Sequence, residues 1–197
     1  MCGIFTYFGN KYNDNELIKL AYKIMHRGPD STINKRINDN IFFTFHRLAI
    51  NGLTSESNQP FENDGIHLIC NGEIFNYKKL IKENNFENEY NSESDCEIIL
   101  HLYKKYGIDK TCKLLDGEFA FVLYDSNSNK LYIARDQLGI RSLYWGKRGG
   151  DGKEEENELF VSSELKSIPS NDIFIEQFPV ASYWCSTDNK ITKFYTF

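Results

Sequence analysis

Hydrophobic positions along the chain follow two different periods, and these predict both strands and helices. Segment 2–8, which mixes apolar and aromatic residues, predicts a first strand. A helix is predicted next by apolar residues at helical spacing, which are Leu17, Leu20, Ala21 and Ile24. Asn13 and Glu16 fit a capping box at its start. The run Arg27-Gly28-Pro29 indicates its end, with Arg27 near the last helical carbonyls.

The rest of the chain contains one clear helix and a series of strands. Residues 94–107 predict the helix, in which Ser94 and Glu97 fit a capping box and Gly107 marks the end. A short helix is predicted at 77–85. Strands are predicted at 41–50, 66–70, 118–125, 130–136, 142–146, 158–164, 181–186 and 190–197.

These elements predict an α+β fold in which two antiparallel sheets are stacked between helical layers, a four-layer α/β/β/α sandwich. Strand 118–124 is apolar without alternation, which is typical of a strand covered on both faces. Residues 126–129 indicate a hairpin turn, and the polar run 146–158 an exposed loop. The 197 residues suit one domain, with room for an extra subdomain.

Composition and charge narrow the class of protein. A net charge of -5 argues against a nucleic-acid or anionic-membrane partner, since either needs a basic excess. No apolar run is long enough to span a bilayer, and the N-terminus lacks the features of a signal peptide. The five scattered cysteines indicate reduced thiols in a cytoplasmic protein. Neither they nor the four histidines have the spacing of metal ligands.

The opening residues Met-Cys-Gly allow a specific chemistry. Once Met1 is removed, Cys2 carries a free α-amine beside its own thiol. The amine titrates at about 7.7–8.0 and the thiol at about 8.5, so the amine can act as general base for the thiol. Gly3 would let the backbone approach a ligand closely. The start of an ordinary buried strand explains the same residues, so this signal is weak by itself.

Three further sites each allow a functional and a structural interpretation. Asn71 and Gly72 follow strand 66–70 and would supply two donors for an oxyanion hole, or form an ordinary Asn-Gly turn. Arg47 lies in an apolar strand and needs a carboxylate, from the protein or from a ligand. Asp95 lies at the start of a helix, where it would complement the helix dipole or hold a ligand ammonium group.

The order of eight short motifs changes the balance between these interpretations. They are MCGIF, HRGPD, HRLAI, NGEIFNY, SDCE, DGEFAFVLYD, ARDQLGIRSLYW and VSSELKSI. Together they resemble the glutamine amidotransferase domain of asparagine synthetases, in the class II family with an N-terminal nucleophile, over essentially the whole chain. A sugar-phosphate aminotransferase would be expected to show a tyrosine after HRG and an Arg-Trp pair, and this sequence has neither.

The resemblance implies the N-terminal nucleophile type of the sandwich fold and a role for each matching residue. Cys2 would be the nucleophile, with its α-amine as base. Arg47 would bind the α-carboxylate of glutamine, and Asp95 together with Glu73 would hold the α-amine. The oxyanion hole would comprise Asn71 and Gly72. The pocket would be lined by Leu48, Ala49, Ile50 and Asn51.

The resemblance also implies an activity and a partner. Glutamine would be hydrolysed to glutamate and ammonia through a thioester, and the ammonia would serve a synthetase domain that makes asparagine from aspartate and ATP. Residues 1–197 would be the amidotransferase domain alone, because the SGG loop of the synthetase domain is not in this sequence. No cofactor or metal is expected in this chain, and ATP and Mg²⁺ only with the missing domain, joined in cis or in trans. The alternative is a glutamine-sensing module with little or no turnover that partners a synthetase in trans.

Overall fold

The computed structural model describes residues 1–148, 158–170 and 173–196. In that part of the chain the α-helices are Asp14–Ala21 (α1), Tyr77–Asn84 (α2) and Ile98–Leu114 (α3). The strands are Gly3–Phe8 (β1), Ser31–Asn38 (β2), Ile41–Arg47 (β3), Phe61–Asn63 (β4), Ile66–Ile74 (β5), Gly117–Asp125 (β6), Lys130–Arg135 (β7), Tyr144–Arg148 (β8), Glu158–Ser162 (β9), Phe174–Gln177 (β10), Ser182–Cys185 (β11) and Lys190–Lys193 (β12). No helix in these ranges is both long and apolar enough to cross a membrane.

The first compact unit comprises residues 1–48 and 142–178. Its antiparallel sheet has the strand order β10-β8-β9-β1-β3-β2, so the strand at the start of the chain is central. Phe5 of β1 pairs with Thr44 of β3 on one side and with Ser162 of β9 on the other. Helix α1 and the 3₁₀ segment after it pack on one face of this sheet. The buried residues of that core are Phe5, Tyr7, Leu17, Ala21, Ile24, Phe42, Phe160, Ile168 and Ile173.

The second compact unit comprises residues 49–141 and 179–197. Its antiparallel sheet has the order β12-β11-β7-β6-β5-β4. Helix α3 packs on one face of this sheet through Ile98, Ile99 and Leu102, which join Leu68 and Phe121 in one apolar core. Burial of this apolar area holds the helix on the sheet.

Two of the local predictions are confirmed in detail. The capping box at α1 is complete, because Asn13 Oδ1 accepts the Glu16 N–H and Glu16 Oε2 accepts the Asn13 N–H. Strand β6 is buried on both faces as its unbroken apolar run predicts. Phe119 and Phe121 belong to the core under α3, and Ala120 and Val122, which alternate with them, are 0% exposed as well.

Of two predictions about the helix that begins near Ser94, the capping box is wrong and the end is confirmed. Ser94 caps the helix by accepting the Cys96 N–H, but the Glu97 carboxylate accepts the N–H groups of Asn91 and Ser92 instead of closing a capping box. Gly107 ends the regular helix, because its φ of 75° and ψ of 173° are not helical. A second helical segment follows it, and α3 as a whole extends to Leu114.

Strand positions differ from the sequence prediction mainly where the chain is polar. Strands β2, β4 and β10 were not predicted, because β2 and β10 carry few fully buried side chains and β4 has only three residues. The predicted loop 146–158 is shorter than expected, since β8 extends to Arg148 and β9 begins at Glu158. Residues 149–157 of that prediction lie outside the described residues.

The core under α1 makes a direct prediction about stability. Leu17 is 0% exposed, so Leu17→Ala should lower the free energy of unfolding by about 2–5 kcal/mol through lost burial and the cavity left behind. Leu53 is 74% exposed, and the matched change Leu53→Ala should alter stability by less than about 0.5 kcal/mol. Urea unfolding followed by tryptophan fluorescence measures both, and equal losses would contradict the packing of α1.

Candidate active site

The thiol of Cys2 lies against the backbone at the end of β3. The Leu48 N–H donates to Cys2 Sγ over 3.4 Å, and the sulfur is 3.7 Å from the Leu48 carbonyl oxygen. This contact follows from register, because Gly3 pairs with His46 and the next pair would bring Cys2 opposite Arg47. The backbone of Leu48 therefore holds the sulfur in one place, which suits a nucleophile.

Arg47 is the last residue of β3, and its side chain is directed away from α1. Neighbouring side chains in a strand point to opposite faces, and His46 faces α1, where its Nε2–H donates to the Ala21 carbonyl over 2.9 Å. Burial lowers the pKa of His46, so its imidazole is neutral. Arg47 is 7% exposed, and because Gly3 pairs with His46, the next pair would place Arg47 and Cys2 on the opposite face from His46.

Arg27 contacts Cys2, which the sequence did not indicate. Its Nε donates to the Cys2 carbonyl over 3.0 Å. Arg27 also lies in the last turn of the 3₁₀ segment that follows α1, at the end that the sequence predicts. Gly28 lets the segment after Arg27 lie against the end of β3, because a Cβ at Gly28 would lie 2.2 Å from the carbonyl oxygen of His46. The only indication of this contact in the sequence was an arginine directly before Gly28.

Asn71 lies in the interior of β5, paired with Ala120 of β6, and the alternative of an Asn-Gly turn is therefore wrong. Its side chain alternates with that of Cys70, which belongs to the core under α3, so it lies on the opposite face of the sheet. Asn71 is 1% exposed, yet its Nδ2 has no hydrogen-bond partner among the described residues. A buried donor without a partner costs about 1–3 kcal/mol, so its presence needs an explanation.

The backbone of Gly72 points to an edge of β5 that no strand of the described chain covers. Strand β4 pairs only with Ile66–Leu68. Beyond that point, side chains accept the outward N–H groups: Gln59 Oε1 accepts that of Cys70 over 2.5 Å, and Asp95 Oδ2 that of Ile74 over 2.6 Å. Because N–H groups alternate along a strand, that of Gly72 points to the same side, between these two acceptors.

Asp95 is brought next to the end of β5 by this bond to Ile74. It is 4% exposed, and it begins the 3₁₀ turn that leads into α3. Glu73 lies between Gly72 and Ile74 and is exposed. The structure therefore brings together four of the predicted site residues in the second unit, which are Asn71, Gly72, Glu73 and Asp95.

The segment before Asp95 is held by a buried carboxylate. Glu97 accepts the N–H of Asn91 over 2.9 Å and that of Ser92 over 2.7 Å, and it lies 3.1 Å from His101 Nε2. Burial opposes its charge, but these hydrogen bonds keep the pKa of Glu97 below its usual range. The segment that leads to Asp95 is thus held by the Glu97 side chain at the start of α3 rather than by a strand.

Residues 49–51 form the loop that leaves β3, and Gly52 sets its course. Gly52 has φ 60°, and a Cβ there would lie 2.0 Å from Ser57 Oγ and 3.1 Å from the carbonyl carbon of Glu93. The loop therefore lies beside the segment that leads to Asp95. Ile50 is 72% exposed, and Asn51 is exposed too, so the side chains of this loop are not packed in the core of their unit.

No group of three or more candidate metal-binding side chains occurs among residues 1–148, 158–170 and 173–196. The polar features of the first unit are instead a thiol and two arginines, and those of the second unit are a carboxylate and unpaired or outward-facing N–H groups. A thiol suits nucleophilic attack on a carbonyl group, and directed N–H donors suit stabilisation of an oxyanion.

Comparison with known proteins identifies the family. The model of the glutamine amidotransferase domain matches residues 1–192. The chain is 37% identical over 201 residues to the glutamine-hydrolysing asparagine synthetase 1 of Saccharomyces cerevisiae, covering 100% of this chain and 34% of that protein. It is 40% identical over 173 residues to the enzyme of the same name from Homo sapiens, covering 85% of this chain and 29% of that protein. The chain thus spans about a third of the length of these relatives.

Solved structures share the fold over the whole chain. The glutamine phosphoribosylpyrophosphate amidotransferase from B. subtilis superposes with a TM-score of 0.78 at 19% identity, covering 100% of this chain and 50% of that one. This agreement and the two antiparallel sheets confirm the fold class predicted from the sequence. The chain belongs to the glutamine amidotransferase domain family.

The bond between Asp95 and β5 predicts a difference between two substitutions. Asp95→Asn can keep an oxygen acceptor for the Ile74 N–H and should leave stability nearly unchanged. Asp95→Ala leaves that buried N–H without a partner and should cost about 1–3 kcal/mol in the free energy of unfolding. Chemical denaturation of both variants measures the difference, and an equally stable Asp95→Ala would show that the bond does not support the site.

Proposed function

We propose that this chain hydrolyses glutamine to glutamate and ammonia through a thioester on Cys2, as the ammonia-supplying part of an asparagine synthetase. The observation that carries the proposal is the buried Nδ2 of Asn71, a donor without a partner among the described residues. A fold tolerates such a group where a ligand uses it, and an oxyanion is the ligand that a preorganised amide serves best. The relatives by name hydrolyse glutamine, which favours catalysis over a glutamine-sensing module.

The proposed reaction divides its roles among the residues described above. After removal of Met1, the α-amine of Cys2 takes the thiol proton, and the sulfur attacks the carboxamide carbon of glutamine. The negative charge that develops on the carboxamide oxygen is stabilised by the Asn71 amide and the Gly72 N–H. The α-ammonium of Cys2 then gives its proton to the departing nitrogen, which leaves as ammonia. Water hydrolyses the thioester, releasing glutamate and restoring the thiol.

Substrate binding is assigned to charged groups of both signs. The Arg47 guanidinium suits the α-carboxylate of glutamine, since its two parallel N–H donors match a carboxylate. Asp95, supported by Glu73, suits the α-ammonium group. Residues 48–51 line the side-chain pocket, where Leu48 also holds the thiol. The two charged ends together select an amino acid over a simple amide.

The use of the ammonia is the less direct part of the proposal. The relatives are about three times as long as this chain, and their names include asparagine synthetase. We assign to their additional length the ATP- and Mg²⁺-dependent step that consumes ammonia, and no cofactor to the glutaminase step. Five free cysteines support a cytoplasmic location, where thiols remain reduced.

Processing and labelling of the N-terminus test the nucleophile. Active protein should lack Met1 by intact mass, and an electrophilic glutamine analogue should label Cys2 alone. The other four cysteines are buried and provide internal controls within the same peptide map. Full glutaminase activity in protein that retains Met1 would exclude the α-amine as the base.

Substitution of Asn71 separates catalysis from stability. Asn71→Ala removes a buried donor that has no partner among the described residues, so it should change the free energy of unfolding by less than about 1 kcal/mol. The same change should lower kcat for glutamine hydrolysis by about 10²–10³-fold with little change in KM. Ammonia release and urea unfolding measure the two effects. A larger effect on KM or on stability than on kcat would assign Asn71 a binding or structural role.

A further inference from the structure

A carboxylate outside the predicted site is linked to Cys2 through one arginine. Glu164 Oε1 accepts a hydrogen bond from Arg27 Nη1 over 3.1 Å, and the Nε of the same guanidinium donates to the Cys2 carbonyl over 3.0 Å. The Arg27 side chain is 10% exposed and that of Glu164 is 25% exposed. We propose that Glu164 is a positioning residue, which holds Arg27 so that the peptide after Cys2 keeps one orientation. This inference rests on the proposed role of Cys2 as nucleophile.

Register brings Glu164 to this position. Strand β9 pairs Ser162 with Phe5, and beyond that pair the Ser163 N–H donates to the Ile4 carbonyl over 3.0 Å while Ser163 Oγ accepts the Ile4 N–H over 3.0 Å. Glu164, the next residue, therefore follows the sheet alongside Gly3. Its own carbonyl is fixed by Ser167 Oγ, which donates to it over 3.0 Å. The backbone that carries the carboxylate is thus held on both sides.

Two contacts of Cys2 together determine where its amine points. The Arg27 bond fixes the carbonyl carbon and oxygen, and the Leu48 N–H fixes the sulfur. The Cα of an L-residue has only one direction left for nitrogen once its other substituents are placed. Holding Arg27 therefore aims the α-amine relative to the thiol, which is the geometry that proton transfer within one residue requires.

The surroundings of Glu164 explain why it stays ionised. His26 Nε2 lies 3.0 Å from Oε1 and Lys166 Nζ lies 3.1 Å from Oε2. Burial opposes its charge, but the hydrogen bonds from Arg27 and Lys166 and the proximity of His26 keep the pKa of Glu164 below its usual range. Arg27 connects the carboxylate to Cys2, whereas the side chains of His26 and Lys166 are more than half exposed.

Kinetics of a small set of variants test the proposal. Glu164→Ala should lower kcat for glutamine hydrolysis by about 10–100-fold with KM changed less than about twofold, because misplaced reacting groups affect the chemical step. Glu164→Gln keeps an acceptor oxygen but loses the charge, so its kcat should lie between that of Glu164→Ala and that of wild type. Lys166→Ala, which removes a different partner of the same carboxylate, should retain full kcat, as should Asp14→Asn at the exposed pair with Arg36.

A double variant separates positioning from a general effect on the fold. If Glu164 acts through Arg27, Arg27→Ala combined with Glu164→Ala should be no slower than Arg27→Ala alone. A further loss in the double variant, or a wild-type kcat in Glu164→Ala, would overturn the proposal. If Glu164→Ala does not fold, the comparison of Glu164→Gln with Lys166→Ala decides, and equal kcat in those two with wild type would overturn it.

Alkylation of Cys2 by iodoacetamide tests the link from Glu164 to Cys2 separately from glutamine hydrolysis. The rate at Cys2, followed by peptide mass, does not depend on glutamine, and Glu164→Ala should change it relative to Asp14→Asn. Wild-type protein without glutaminase activity would count against the proposed function, and the alkylation rates would still decide the link from Glu164 to Cys2. Identical rates in wild type and Glu164→Ala would remove that link.

Discussion

Pairing of the first strand with a neighbour on each side is the interaction on which the proposed chemistry depends. A chain terminus is normally frayed, and a reactive group at residue 2 would have no fixed position there. In this protein Gly3 pairs with His46, and Ser163 continues the ladder from Ile4 on the other side. Both neighbours extend past the strand end and supply contacts to Cys2, directly from Leu48 and through Arg27 from Glu164.

In the second unit, polar groups are held in fixed positions at an edge of β5 that is only partly paired. Strand β4 stops short, and side chains of Gln59 and Asp95 accept the N–H groups that a longer strand would have paired. The N–H of Gly72 lies between them, and a larger residue is excluded there because a Cβ would be 2.8 Å from the Glu118 carbonyl oxygen. Strand β5 is thus fully paired with β6 on one side and presents N–H donors in fixed directions on the other. On that second side, Cys96 Sγ also donates to the Gly72 carbonyl over 3.6 Å.

Sequence patterns predicted the parts of this protein that depend on local apolar periodicity. Helix α1 with its Asn13–Glu16 box and the doubly buried strand β6 follow from such patterns. Contacts that depend on the meeting of distant segments did not follow. Arg27 and Glu164 are 137 residues apart in the sequence. The Asn71-Gly72 pair is typical of a turn, and only its pairing with β6 shows that it lies within a strand. The resemblance identified the candidate residues because the motifs of a family reflect contacts between distant segments. Secondary-structure propensity reflects only the local sequence.

The central position of β1 in its sheet also means that its two neighbouring strands are synthesised at different times. Strand β1 gains its second neighbour only after Glu158–Ser162 has left the ribosome, roughly 10–30 s after the N-terminus at ordinary elongation rates. Throughout that interval the first residues belong to an unfinished sheet, and the proposed removal of Met1 would take place before the sheet closes around them. The proposed role of the Cys2 α-amine has a practical consequence as well. An affinity tag placed before Met1 would keep this amine in a peptide bond, so recombinant protein intended for activity measurements needs its tag at the other end.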